Sequence, residues 1–291
     1  MPRGRTTKVL TRHFDGHTSV QRPDQLIVEE PLEIHLDGVL VATTMRTPGH
    51  DFELAAGFCH TEGLLAGAPV RQCRYCSTGS AVESGFNVVS VDTGGLAPAP
   101  TPRLTATTSA CGMCGTTAID ELRDRLQQLP PAPDIPLTVL ANLADRAAGG
   151  QELFGTTGGV HAAMLFTPDG EPLLVREDIG RHNAIDKVVG RLLLDGRLPA
   201  TGLGLWTSGR ASFEIVQKAW AAGVSTVVAV SAPSSLAVSA ARLAGMTLCG
   251  FARGGELNVY TPDRPDQLPL PAVPPAVDAE AAAERAGTKG A

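Results

Sequence analysis

Leu203-Gly-Leu-Trp-Thr207 is a short apolar run that stops in Ser208-Gly-Arg210. Its length and its lack of polar alternation read as a strand buried on both faces. A helical stripe of Phe213, Val216 and Trp220 follows, with Ser212 as its cap, and Gly223 stops it. The alternation continues. Ser225 to Val230 is a second buried strand, ending in Ser231-Ala-Pro-Ser-Ser235, and the next helix carries Leu236, Ala240 and Leu243 and stops at Gly245. Thr247 to Phe251 is a third strand, followed by Ala252-Arg-Gly-Gly255 and Leu257-Asn-Val-Tyr260. Strands alternating with helices predict an α/β fold, a mostly parallel sheet flanked by helices.

Ligands of open parallel sheets sit beyond the carboxyl ends of the strands. The segments at those ends are Ser208-Gly-Arg210, Ser231 to Ser235 and Arg253-Gly-Gly255, all small, hydroxyl-bearing or cationic. Backbone N–H groups at helix starts, with arginine beside them, make a phosphate cradle. The plainer account is that these are caps and turn residues. Upstream, Arg176-Glu-Asp-Ile-Gly-Arg-His-Asn-Ala-Ile-Asp-Lys187 is dense in charge and precedes a stripe of Ile185, Val188, Val189 and Leu192. Asn183 is a candidate cap there, and Arg181 and His182 sit at the helix mouth. This segment is either a solvated loop with ion pairs or a polar constellation that recognises a guanine-like base or phosphates. Gly155-Thr-Thr-Gly-Gly-Val-His161 is a glycine-rich turn ahead of the strand Ala162 to Phe166, a weak signal alone.

The N-terminal half reads differently. Residues 1–24 are polar and patternless, an expected loose arm. Pro31 to Leu36, Asp37-Gly38 and Val39 to Ala42 read as a β-hairpin with a tight two-residue turn. Asp51 is a candidate cap for a helix bearing Phe52, Ala55, Ala56 and Cys59, and Asn87 to Val91 is a short strand. Residues 95–102 form a loop before Ser109-Ala-Cys-Gly-Met-Cys-Gly115, where Cys111 and Cys114 stand in Cys-x-x-Cys spacing and glycines leave both sulfurs uncrowded. A helix start follows, with Thr117 and Asp120 at capping-box spacing and Ile119, Leu122 and Leu126 on one face. Thiols just before a helix N-terminus feel its positive end, which favours the thiolate. The expected division is an arm at 1–24, a smaller β-rich portion at 25–135, an α/β portion at 136–262 and a disordered tail at 263–291.

Composition narrows the function classes. The formal net charge of −6 argues against general nucleic-acid affinity. No run of about eighteen uninterrupted apolar residues appears, so no membrane span is expected, and the first thirty residues hold no apolar core that reads as a signal peptide. Six cysteines in 291 residues make no disulfide framework, so cytoplasmic thiols used for chemistry or metal are expected.

Together these segments resemble the formate dehydrogenase accessory sulfurtransferase family (FdhD/NarQ). The matching pieces, in order, are Met45-Arg-Thr-Pro48, Glu53 to Phe58 with Glu62-Gly63, Cys111 to Gly115 and Thr157 to Ala162, then Arg176 to Lys187, Ser208 to Glu214, Ser231 to Ser234 and Thr247 to Arg253. The resemblance implies a cytidine-deaminase-like fold, a homodimer, and a persulfide on Cys111 received from a cysteine desulfurase. It implies delivery of that sulfur to the Mo-bis(molybdopterin guanine dinucleotide) cofactor, a bound substrate, before the cofactor enters formate dehydrogenase. The family's cofactor-binding stretch falls on Phe251, Ala252, Arg253, Gly254, Gly255 and Glu256, with Arg181, His182, Ser208 and Arg210 as further candidates. Cys114 either releases sulfide by attacking the inner sulfur or stabilises the loaded state.

Three other readings use the same residues. Cys73/Cys76 with Cys111/Cys114 could hold structural zinc, but the gap between the pairs is longer than in zinc ribbons. His60-Thr-Glu62 with Cys111-x-x-Cys114 mimics a zinc nucleobase deaminase, but Ala110 replaces the required proline, which leaves His60 an expected helix-surface residue. A thioredoxin-like dithiol is the third. Cys59 and Cys249 are expected core thiols, and no metal site is assigned.

Overall fold

A computed structural model describes residues 4–76, 81–82, 84–99 and 122–262. The N-terminal half contains β1 (Thr6–Phe14), β2 (Ser19–Ile27), β3 (Glu30–Leu36), β4 (Val39–Arg46), α1 (Asp51–Thr61), β5 (Gln72–Tyr75) and β6 (Val88–Asp92). Residues 122–125 are helical, in line with the helix expected behind the thiols. Then come α2 (Leu137–Ala141), α3 (Leu143–Ala148), α4 (Glu152–Thr157), β7 (His161–Phe166), β8 (Pro172–Asp178) and α5 (Arg181–Leu194). The chain continues through β9 (Gly204–Thr207), α6 (Phe213–Ala221), β10 (Thr226–Ala229), α7 (Ser235–Ala244), β11 (Thr247–Arg253) and β12 (Glu256–Thr261). The expected tail at 263–291 lies outside the described residues.

The main sheet has six strands in the order β12-β11-β10-β9-β7-β8. Its expected strands and helices are present, but the sheet is mixed rather than mostly parallel. Only β9, β10 and β11 run parallel, while β12, β7 and β8 are antiparallel to their neighbours. The connections explain this. β11 and β12 are joined by Gly254-Gly255, both at positive φ, and β7 and β8 by a turn closed by Gly170 N–H on Thr167 O. Connections this short allow only antiparallel pairing.

Successive residues of each strand face opposite layers. Leu165, Leu205, Val227 and Leu248 pack against α5, α6 and α7 through Ile185, Val188, Ile215, Val216, Ala240 and Ala244. Met164, Trp206, Val228 and Cys249 face the other way, onto Leu140, Leu143 and Ala147 of α2 and α3. A second sheet, ordered β4-β3-β6-β5, covers one face of α1 with Leu32, Ile34, Leu36, Val89 and Val91. Its β3–β4 turn is the expected one, with Asp37 and Gly38 both at positive φ and Thr93 bonded to the Asp37 carboxylate.

Residues 6–24, expected within a loose arm at 1–24, form together with 25–27 an antiparallel ribbon pairing Thr6 with Ile27 through Phe14 with Ser19. The Asp15 carboxylate accepts His17 and Thr18 N–H and fixes its turn. Asp51 is not the expected cap of α1: His50, in left-handed conformation, precedes the helix and Asp51 opens its first turn.

Candidate functional site

The loops after β9, β10 and β11 meet at one edge, as their strand ends predict. Val230 N–H donates to Thr207 O at 3.0 Å, Ser231 N–H to Gly209 O at 3.3 Å, and Phe251 N–H to Ser231 O at 3.3 Å. Ser234 N–H reaches Ala211 O at 3.0 Å, and its side chain caps α7 by accepting from Ala237 N–H. The floor of this edge is therefore one hydrogen-bonded run of Ser208-Gly209, Ser231 and Ser234.

The stretch Phe251–Glu256 rises beside that floor. Cys249 is the last β11 residue paired to β10, and Arg253 stands four residues further on (253 − 249), past a bulge at Phe251 (φ 54°) and so less than about 13 Å beyond it. The turn has both central residues at positive φ, which the Gly254-Gly255 pair adopts without strain. Phe251 is 40% exposed, and Arg253 and Glu256 are exposed as well. Ala252 is buried against Trp206 and Leu140, so among the candidate residues of this hairpin it anchors rather than presents.

Arg181 and His182 open α5 at the same edge. The Gly209 backbone lies against Arg181: a Cβ there would stand 3.3 Å from Arg181 Cδ. Burial first, then the charges of Arg181 and Lys218, lowers the His182 pKa to about 4, and its Nε2 is 3.8 Å from Glu214. Arg210 is exposed at the end of its loop. One residue was not singled out by sequence. His161, at the start of β7, has Nδ1 3.3 Å from Ser208 Oγ, and Ser208 Oγ also accepts Ala162 N–H at 2.9 Å.

The charge-dense segment 176–187 is not the solvated loop of the plainer expectation. Most of its charges turn inward. Lys187 and Asp178 pair at 2.6 Å, both fully buried. Lys187 also donates to Thr47 O, and Asp178 accepts from Thr47 N–H, Gly180 N–H and Asn183 Nδ2. Asn183 is thus a bridge rather than a cap, and Gly180 takes the cap position. Arg176 grips Glu53 with two bonds, at 2.6 and 2.9 Å. Asp186 pairs with Lys218 of α6, which also meets Glu62, the residue that caps the C-terminus of α1. These bonds fasten α1 and the 45–51 segment to α5 and α6. A buried charge without a partner is strongly unfavourable, which explains why they occur as matched sets.

Cys111 and Cys114 lie outside the described residues. Cys59 and Cys249 are core thiols, as expected. Burial raises the pKa of Cys59, and pushes the Cys73 thiol up to about 11, which suppresses thiolate at both. Cys76 Sγ lies 3.4 Å from Ser84 Oγ. Among the described residues no group of three His, Cys, Asp or Glu is placed to hold a metal. His60 is not the expected surface residue. It is half-buried with Nε2 2.9 Å from Ala221 O, and burial lowers its pKa. No described helix is long and apolar enough to cross a membrane.

The sequence pattern of the FdhD/NarQ family matches residues 27–265. A relative from Nocardia farcinica, named sulfur carrier protein FdhD, is 50% identical over 246 residues, covering 83% of this chain and 88% of its own. A relative of the same name from Streptomyces avermitilis is 49% identical over 269 residues, covering 88% and 94%. A crystal structure described as a formate dehydrogenase accessory protein, from Desulfotalea psychrophila, superposes with a TM-score of 0.69 at 23% identity, over 89% of this chain and 98% of that one. That likeness concerns the fold alone. The sequence match spans both sheets and every loop of the edge described above, and on it the chain belongs to the FdhD/NarQ family.

Proposed function

We propose that this chain is a sulfur carrier whose working atom is the sulfur of Cys111. The Cys111 thiolate attacks the outer sulfur of a cysteine desulfurase persulfide. One S–S bond forms at Cys111 as the donor's S–S bond breaks, and the donor cysteine leaves as a thiolate. The outer sulfur then passes to molybdenum of Mo-bis(molybdopterin guanine dinucleotide), the substrate, on its way to formate dehydrogenase: either Cys114 attacks the Cys111 sulfur, so that a Cys111–Cys114 disulfide forms and the outer sulfur leaves as sulfide, or molybdenum supplies the two electrons and Cys111 leaves as a thiolate. Cys114 acts beside Cys111 in unloading or in stabilising the persulfide. The reading includes a cytidine-deaminase-like fold, a cytoplasmic homodimer, and two portions meeting near residue 135.

One observation carries it. The loops 208–210, 231–235 and 251–256 are joined along one sheet edge, with Arg181 and His182 beside them, which supports a seat for a large nucleotide-bearing substrate. Leu122 is packed in the core eight residues after Cys114 (122 − 114) and eleven after Cys111 (122 − 111), so the chain tethers the two thiols within about 28 Å and about 38 Å of that point. Arg125 donates to Glu62 O at 2.7 Å and Trp220 Nε1 to Gln127 O at 2.7 Å, so the anchor itself is firm.

Intact mass after incubation with a cysteine desulfurase and cysteine tests the reading. A gain of one sulfur, mapped to the peptide holding Cys111 and lost in Cys111→Ser, is expected. Sulfur gained only on another cysteine would overturn the assignment. The same variant is expected to lose formate dehydrogenase maturation while keeping its fold.

A further inference from the structure

A second cleft opens beside the outermost strand of the six-stranded sheet. It lies between the root of β1, the 45–51 segment, the start of α4 and β8, and holds about 180 Å³. β8 is three places and about 14 Å from β10, which sets this cleft apart from the loop edge. Its volume is below the ~300–1,000 Å³ of a site for a drug-sized ligand, so it admits an ion of a few heavy atoms and not a nucleotide.

Arg5 supplies the free charge of the cleft. Its Nε is buried and meets no acceptor among the described residues. The buried carboxylates around it are already engaged. Arg176 and His50 hold Glu53, at 2.6 and 3.5 Å. Glu177 accepts Leu153 N–H at 2.9 Å and Phe154 N–H at 2.8 Å, and Asp178 holds Lys187. Burial lowers the Lys187 pKa against the pull of Asp178, and the Arg5 charge adds to the lowering, so Arg5 is a second cation near a buried one. A buried guanidinium donor without an acceptor is costly, which suits it to an anion from outside.

The wall beside Arg5 is built by Gly49 and His50. Gly49, at φ 103°, brings the backbone close: a Cβ there would stand 3.7 Å from Arg5 Nε. His50 follows in left-handed conformation at φ 57°, a sparsely used region for a residue with a side chain, and such positions cluster at ligand clamps. The remaining lining selects the anion. Glu152, exposed at the mouth, and Glu177 are acidic, so a dianion is repelled more than a monoanion. One edge of a guanidinium matches the two oxygens of a planar carboxylate.

We propose that Arg5 and His50 form a binding site for a small monocarboxylate in the cleft between β1, α4 and β8. Arg5 pairs with the carboxylate, and His50, held by Glu53, flanks it. Arg5 lies outside the family pattern matched at residues 27–265, and the site does not depend on the sulfur-carrier reading.

NMR titration of the full chain with sodium acetate, against sodium chloride at equal ionic strength, tests this. Acetate is expected to shift the Gly49 and His50 amides saturably, with a Kd in the millimolar range, and chloride is not. Sulfate is expected to bind more weakly than acetate. Arg5→Gln is expected to weaken acetate about tenfold, the scale of one charge-assisted hydrogen bond. Glu152→Gln is expected to tighten it, because a like charge is removed. No saturable shift in wild type, an unchanged Kd in Arg5→Gln, or sulfate binding tighter than acetate would each overturn the site. Binding that appears only in Glu152→Gln would make Glu152 the partner of Arg5 in solution, and the proposal would fall.

Discussion

Gly57 of α1 and Gly190 of α5 press the two helix backbones together so closely that neither position has room for a methyl group. A Cβ on Gly57 would stand 1.9 Å from the Asp186 carbonyl oxygen, and one on Gly190 1.7 Å from the Glu53 carbonyl oxygen. α1 is covered on its other side by the four-stranded sheet, and α5 lies on the six-stranded one. This contact is therefore where the two sheets become one body. The buried bonds Arg176–Glu53 and Lys218–Asp186 flank it and set its register.

Gly57→Ala is expected to destabilise the protein by about 3 kcal/mol, because backbone, not a flexible side chain, occupies the space. Gly155→Ala serves as the contrast. Gly155 lies inside α4 with nothing within 4 Å of its would-be Cβ, so alanine there is expected to stabilise by up to about 1 kcal/mol through helix propensity. Urea midpoints of the two variants check both signs. Equal midpoints would remove the close-approach argument.

Lys218→Met is expected to cost about 3–5 kcal/mol, since it strands a buried Asp186 carboxylate and removes a bond to Glu62. Burial already raises the Asp186 pKa to about 6 against the pull of Lys218. Adding Asp186→Asn is expected to recover a large part of the loss, because it removes the orphaned charge. A double-mutant cycle by denaturation reads this, and simple additivity would mean that the two groups do not act as a pair.

The legible parts of the sequence were those with a burial signal. Leu205, Val227 and Leu248 sit in apolar runs bounded by Gly223 and Gly245, and the strands they mark are present. The edge loops followed from those strand ends. The ribbon of residues 6–27 carried no such signal, because Leu10, Phe14 and Val20 are exposed and its order comes from cross-strand pairing. The segment 176–187 looked like surface because its partners Thr47 and Glu53 lie more than a hundred residues away. His161 was hidden by an error of direction. In an all-parallel sheet its strand would start at the far edge, whereas β7 runs antiparallel to β9 and starts beside Ser208.

Glu53 is expected to govern part of the acid limb of stability. Burial alone would raise its pKa, but hydrogen bonds from Arg176 and His50 and their charges outweigh that and hold it at about 2. A carboxylate depressed in the folded state contributes stability above its unfolded pKa of about 4.3 and loses it as pH falls through the folded value. Between about pH 4.5 and 2 the wild type is expected to lose up to about 3 kcal/mol from this group. Glu53→Gln, less stable at neutral pH, is expected to show a shallower decline over that window. Parallel curves for the two proteins would exclude Glu53 as the titrating group.

Arg253 separates binding from folding in the hairpin wall. Its side chain is exposed beyond the part of β11 that pairs with β10, whereas Ala252 next to it is buried in the core. Arg253→Ala is therefore expected to leave the urea midpoint within about 0.5 kcal/mol of wild type, as exposed substitutions do. GDP affinity is expected to fall about tenfold, the scale of a lost guanidinium–phosphate or guanidinium–base bond. Gly254→Val acts differently. The turn needs positive φ at Gly254 (61°) and Gly255 (81°), so a β-branched residue distorts the hairpin and is expected to lower both stability and GDP affinity. Calorimetry and denaturation on the same preparations distinguish the two. Unchanged GDP affinity in Arg253→Ala, with the midpoint preserved, would move the nucleotide seat away from this hairpin.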